Sequence, residues 1–263
     1  MKNNITSALS RIIISLVVIM CFSGCVIVNF FEFNTARPLG DQVTYELEVS
    51  EYNGIRIDGF CDVHYYAPQI GGASANTVIL KVQSNLRQYY IVEVIRGELI
   101  VRTTGRISFG QKKAASLTIY TPVLNSVSMY PIRSRGNTGS AYSFTAYDPI
   151  VSDSFTFILK GDGDGRAELD VNSLNVELAG AGKLELSGRA DNINFNLSGV
   201  GELNSFSLQA RDTIVSLTGA GAIKLNSSET LIIEANGAGS IEYIGNPSLN
   251  LNTNGMVNVI RVD

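Results

Sequence analysis

From Leu159 onward, apolar and polar residues alternate in short runs that a glycine motif interrupts at nearly constant spacing. Ile193, Phe195 and Leu197 alternate with Asn192, Asn194, Asn196 and Ser198 ahead of one copy, and Val215 and Leu217 take the same places ahead of the next. Beyond the motif the alternation resumes at Leu184 and Leu186, at Leu203, at Ile223 and Leu225, and at Ile241 and Tyr243. A period of two over such runs specifies strands with one buried face. The motif reads Gly161-Asp162-Gly163, Gly180-Ala181-Gly182, Gly199-Val200-Gly201, Gly219-Ala220-Gly221 and Gly237-Ala238-Gly239, with a degenerate sixth copy at Gly255-Met256-Val257. Successive first glycines stand 19, 19, 20, 18 and 18 residues apart, which marks a repeat architecture.

Each unit predicts a strand, a glycine corner, a strand and a second turn such as Ser187-Gly188 or Asn246-Pro247. Such a unit is too short for a βαβ crossover, which takes roughly 30 residues. It fits one coil of a parallel β-solenoid, whose coils stack about 4.8 Å apart. Glycine recurs where the chain turns at positive φ or lies against the adjacent coil, because a Cβ would clash there. The alternative, an antiparallel hairpin array, would favour Asn-Gly or Asp-Gly turns at shorter spacing. The expectation is an all-β chain with one main domain, a parallel β-helix-like solenoid with coils of 18–20 residues.

Upstream, strand-like runs fall at residues 45–49, 54–57, 61–66, 78–83, 89–95 and 99–102, with two more within 117–129 around Thr121-Pro122. They are less regular than the later coils, as terminal repeats of a solenoid tend to be. Residues 131–149 break the alternation and read as either a degenerate coil or an inserted loop. Arg133, Arg135, Tyr142 and Tyr147 make that stretch a candidate recognition loop for glycan or protein. The chain thus divides into a leader (1–24), a tether (25–42), irregular coils (43–130), the irregular stretch (131–150) and regular glycine coils (151–263).

The leader carries Lys2 and Arg11 around an apolar run of 11 residues, 12–22, too short to span a bilayer but suited to a signal peptide. Phe22-Ser23-Gly24-Cys25 resembles a bacterial lipobox, with Phe22 where leucine is usual. It designates Cys25 as a lipidated mature N-terminus, anchored in a cell-envelope membrane by more than one acyl chain. Cys21 leaves with the leader, so Cys61 stands alone, on the buried face of a strand.

Charge excludes one class of partner. Beyond the leader, 18 basic residues face 24 acidic ones, a net charge of −6 that argues against nucleic acid. His64 is the single histidine, which leaves a histidine metal site or a Ser/His/Asp triad without support. In the acidic cluster Asp162, Asp164, Glu168 and Asp170, Asp162-x-Asp164 begins like a calcium loop, but Arg166 and Ala167 occupy the positions where a ligand and a glycine are required. They read as solvated acids on a structural turn. No catalytic set, metal or cofactor is expected.

One resemblance covers about residues 49–262. Its N-terminal half is carried by Tyr52-Asn53-Gly54-Ile55, Gly59-Phe60-Cys61-Asp62-Val63, Ser84-Asn85 and Gly97-Glu98-Leu99. Its C-terminal half is carried by the Leu-Ser/Thr-Gly-x-Gly repeats and by Gly239-Ser240-Ile241-Glu242-Tyr243-Ile244-Gly245-Asn246-Pro247. The sequence resembles the head domain of auto-transporter adhesins, the GIN domain. That resemblance implies a right-handed β-helix-like fold on a secreted or lipoprotein scaffold, with adhesion as the role and no catalytic motif. The expected protein is an envelope lipoprotein with a binding or scaffolding solenoid that meets a membrane through its anchor and a glycan or surface protein through its side. A polysaccharide-active enzyme and an architectural or signalling-associated protein are the competing classes. The edge strand at 257–262 invites pairing with a second copy.

Overall fold

The computed structural model describes residues 35–68, 75–105, 107–108, 115–131 and 142–262, all within one compact unit, Thr35–Asp263. The leader, the first part of the tether and Cys25 lie outside the described residues, as do Arg133 and Arg135. Of the described residues 73% are strand and 3% helix, and they form a β-solenoid of about six turns.

Among the described residues nine strands precede the regular coils: β1 (Gln42–Glu48), β2 (Gly54–Asp58), β3 (Cys61–Tyr66), β4 (Thr77–Gln83), β5 (Tyr90–Ile95), β6 (Glu98–Thr103), β7 (Ala115–Tyr120), β8 (Ser126–Met129) and β9 (Ser143–Ala146). Eight follow: β10 (Ile150–Gly161), β11 (Asp164–Gly180), β12 (Lys183–Gly199), β13 (Glu202–Gly219), β14 (Ala222–Gly237), β15 (Ser240–Ile244), β16 (Ser248–Gly255) and β17 (Asn258–Arg261).

In the regular half each strand pairs in parallel with the one a repeat later, so the alternating apolar residues become continuous internal rows. One row runs Phe157, Val176, Phe195, Val215, Ile233 and Leu251 in direct register. A second runs Leu184, Leu203, Ile223, Ile241 and Val259. Ahead of the last coil these side chains are buried, and burying each contributes about 1.5–3 kcal/mol. The uneven spacing of the motif also has a structural counterpart. The 20-residue unit fits by register shifts on both sides of β13, at Glu185/Ser187 and at Ser205/Gln209. The half-buried Phe206 ring stands in the second of these, under the Lys224 ammonium at 5.6 Å.

The turn expected at Ser187-Gly188 does not interrupt its strand. Gly188 has φ +102°, yet β12 runs through it, and the buried parity changes only between Ala190 and Ile193. A coil that bends in parallel with its neighbours keeps its ladder bonds around the bend, so no loop is needed.

The irregular half is built differently. The coil of β2 and β3 lies between two later ones. On one side are β6 and β7, on the other β8 and β9, all in parallel. Past β7 and β6 the pairing turns antiparallel, with β4 on β7, β1 on β4 and β5 on β6. These runs are therefore not simply successive coils: β1, β4 and β5 close the end of the stack. Of the irregular stretch after Pro131, Ser143–Ala146 is a strand within the stack, bridging β3 and β11. Cys61 is fully buried in the core, on the face its alternation predicts.

Candidate functional site

The glycine motif forms one corner of the solenoid. Gly161, Gly180, Gly199, Gly219, Gly237 and Gly255 stack in register. Gly199 has φ +120°, and a Cβ there would strike the Gly180 backbone oxygen and sit 3.0 Å from its nitrogen. The next amide, Val200 N–H, donates to that same Gly180 oxygen at 2.8 Å. Gly163, Gly182, Gly201, Gly221 and Gly239 form a parallel ladder; a Cβ on Gly201 would lie 2.8 Å from the Gly182 oxygen and 3.0 Å from Leu178. These eleven glycines keep coils in contact and present no chemistry of their own.

Tyr142 belongs to this corner and not to a recognition surface. It is buried, its hydroxyl donates to the Lys160 carbonyl, and its ring edge lies 2.5 Å from where a Gly163 Cβ would stand. The glycine ladder starts on this ring. Burial, reinforced by the Asp162 charge, pushes its phenol up to about 12.

Tyr147, the fourth residue of the candidate loop, is exposed, and it stands in an aromatic ladder that the alternation pattern did not single out. Tyr66 on β3 faces Tyr120 on β7 in direct register, and Tyr65 faces Ala146, which places Tyr147 beside Tyr66 one residue on. The Tyr66 and Tyr147 rings stack with centroids 4.9 Å apart at 4°, and those of Tyr66 and Tyr120 at 5.5 Å and 22°. Parallel, in-register coils bring like side chains to about the separation at which rings stack. Asp148 holds the chain just beyond, its carboxylate accepting from Ala67 N–H at 3.0 Å.

His64 completes the patch. It lies between Thr118 and Thr145 on the outward face, its ring 5.6 Å from that of Tyr147. Its Nδ1 is buried without a hydrogen-bond partner among the described residues, and burial holds its pKa below the ordinary value, with Asp62 opposing. Asp62 itself accepts from the Ser143 hydroxyl at 2.7 Å. The patch thus offers three ring edges, their hydroxyls and a neutral imidazole.

Elsewhere on the outward faces, charges pair between neighbouring coils. Lys183 pairs with Glu202 at 3.0 Å, Lys160 with Glu177 at 2.9 Å and Lys224 with Glu242 at 3.7 Å, each across one rung. Exposed pairs of this kind contribute little, because water screens them and fixing two long side chains costs entropy. Asp164, Glu168 and Asp170 alternate along the outer side of β11 without converging, and Asp170 faces Arg189 at 3.8 Å. Among the described residues no group of three His, Cys, Asp or Glu could hold a metal ion, and no helix is long and apolar enough to cross a membrane. A cleft of about 810 Å³ beside β10, edged by Asn125, Ser152, Asp153 and Asn172, is open, and Asn172 already donates to Asp153 at 3.2 Å.

A family model described as "Putative auto-transporter adhesin, head GIN domain" matches residues 51–247. The fold is shared with a "putative adhesin" from Bacteroides fragilis at 22% identity and TM-score 0.76, covering 86% of this chain and 100% of that one. A "putative lipid binding protein" from Parabacteroides distasonis is similar at 20% identity and TM-score 0.68, over 87% and 100% of the two chains. A "putative adhesin" from Parabacteroides merdae is similar at 19% identity and TM-score 0.59, over 87% and 99%. No curated protein shows significant similarity to the chain.

Proposed function

The chain belongs to the auto-transporter adhesin head GIN domain family, and from that membership we propose that it is a non-enzymatic binding protein of the cell envelope that reads a surface glycan. The observation that carries this reading is the outward ladder of Tyr66, Tyr120 and Tyr147. Stacked rings that expose edges and hydroxyls on a rigid sheet match a sugar polymer, whose apolar C–H faces and hydroxyls alternate along its length. Because the rings already hold one another, little side-chain freedom is lost on binding, and preorganisation of that kind favours affinity. In this reading Cys25 carries the lipid anchor and the solenoid displays the ladder from the membrane.

The test is a glycan-array and host-matrix screen of the full chain in detergent, with hits assayed for cleavage. Saturable binding without turnover, weakened about tenfold or more by Tyr147→Ala, supports the proposal; loss of one aromatic anchor at an interface costs on the order of 1–2 kcal/mol. Turnover of any polysaccharide would replace it with the enzyme reading. Silence on every glycan would move the role to an envelope scaffold. Incorporation of a labelled fatty acid, abolished by Cys25→Ala, tests the anchor separately.

A further inference from the structure

The last coil presents the interior of the solenoid. In the row Leu231–Leu249 the first residue is 0% exposed and the second 41%; in Ile233–Leu251 the values are 0% and 46%. Every residue of β16 is exposed. β16 pairs with β14 alone and β17 with β15 alone, so among the described residues their outer backbone edges have no strand partner. We propose that this end binds the same end of a second copy, joined about a two-fold axis with β16 antiparallel to β16.

Charge identifies the occupant. A two-fold interface sets a patch against itself, so any charge on it meets its own kind, and edge strands that avoid pairing carry charge, proline or a bulge. From Ser248 to Ile260 there is no charged residue and no proline. Arg261, just past this stretch, is turned to Asn246 at 3.1 Å. The opposite end of the stack is unsuited to self-pairing, since its outer strands carry Glu46 and Glu48 on β1 and Glu93 on β5. A two-fold axis along the sheet normal also continues the register of faces. It sets Leu249 and Leu251 among apolar positions of the partner and Asn250, Asn252 and Asn254 among outward ones, because residues two apart share a face.

The full chain in non-ionic detergent, measured by light scattering corrected for the micelle, should have twice the chain mass and dissociate on dilution. Asn252 is outward and exposed, so Asn252→Lys leaves the core untouched; it should raise the dissociation constant at least tenfold without changing the circular dichroism spectrum. Mixing the Lys and Glu variants at Asn252 should restore the double mass as a heterodimer, which a folding defect could not produce. A parent chain that stays monomeric at all concentrations overturns the proposal. So does a dimer that Asn252→Lys leaves intact, or a mixture that fails to reassociate. None of these outcomes depends on a glycan, so they separate cleanly from the proposed function.

Discussion

The two ends of the stack differ in how they stop. At the N-terminal end, β4 runs antiparallel on β7 and β5 on β6, and Leu80 and Leu117 beneath are fully buried. At the C-terminal end each strand is laid on the previous one in parallel, and Leu249 and Leu251, which continue buried rows, stay nearly half exposed. Adding a parallel coil needs only one more repeat, but it always leaves a new open row. Covering that row requires chain that reverses direction, which is why the closed end is also the one where strand order departs from sequence order.

The largest effect that sharpens this contrast lies at the regular corner. Gly199→Val should cost about 3 kcal/mol or more, since the new Cβ meets Gly180 backbone at positive φ, whereas Gly40→Ala, at φ +74° with nothing within 4 Å, should cost about 1 kcal/mol. Urea denaturation of both would show whether the corner is set by contact between coils; equal losses would leave only the local φ. Next comes a matched pair in one row. Leu231→Ala should lose about 2–5 kcal/mol and Leu249→Ala about 1 kcal/mol or less in the monomer, and similar values would mean that the last coil is covered after all.

Smaller still is the ladder. Tyr147→Ala should shift the melting temperature by no more than a few degrees, since a stacked pair contributes about 0.5–1.5 kcal/mol, while weakening the proposed glycan binding about tenfold or more; a large loss of stability would make the ladder a structural staple. The smallest expected effect is pH dependence at His64. Its folded pKa lies below the unfolded value, so the unfolded chain takes up the proton first. The stability it contributes is therefore full above about pH 6.5 and is lost as pH falls from there towards the depressed folded value. His64→Gln should flatten that part of the urea-measured profile, and an unchanged slope would place the dependence on other groups.

The regular half was legible because its information is local and periodic. Ile193, Phe195 and Leu197 declare a buried face, the spacing of Gly180 and Gly199 declares a coil, and in-register parallel stacking follows from both. The candidate recognition residues were legible only in part. Tyr147 is exposed in a patch, but Tyr142 is bound into the glycine corner, because a ring in an irregular stretch looks the same in sequence whether it plugs a coil or faces water. Tyr66 and Tyr120 gave no signal at all, being 54 positions apart and joined only through the register of β3 and β7.

By itself, then, the sequence determined an all-β repeat chain, the length of its coils, the glycine corner and the family to which it belongs. The tertiary structure alone decided that β2 and β3 lie between strands made later, that antiparallel strands close one end, and that three tyrosines stack on one face. The reason is physical. Alternation and glycine positions are properties of neighbouring residues, whereas stacking order depends on which distant strands satisfy each other's backbone hydrogen bonds, and no single stretch of chain records that choice.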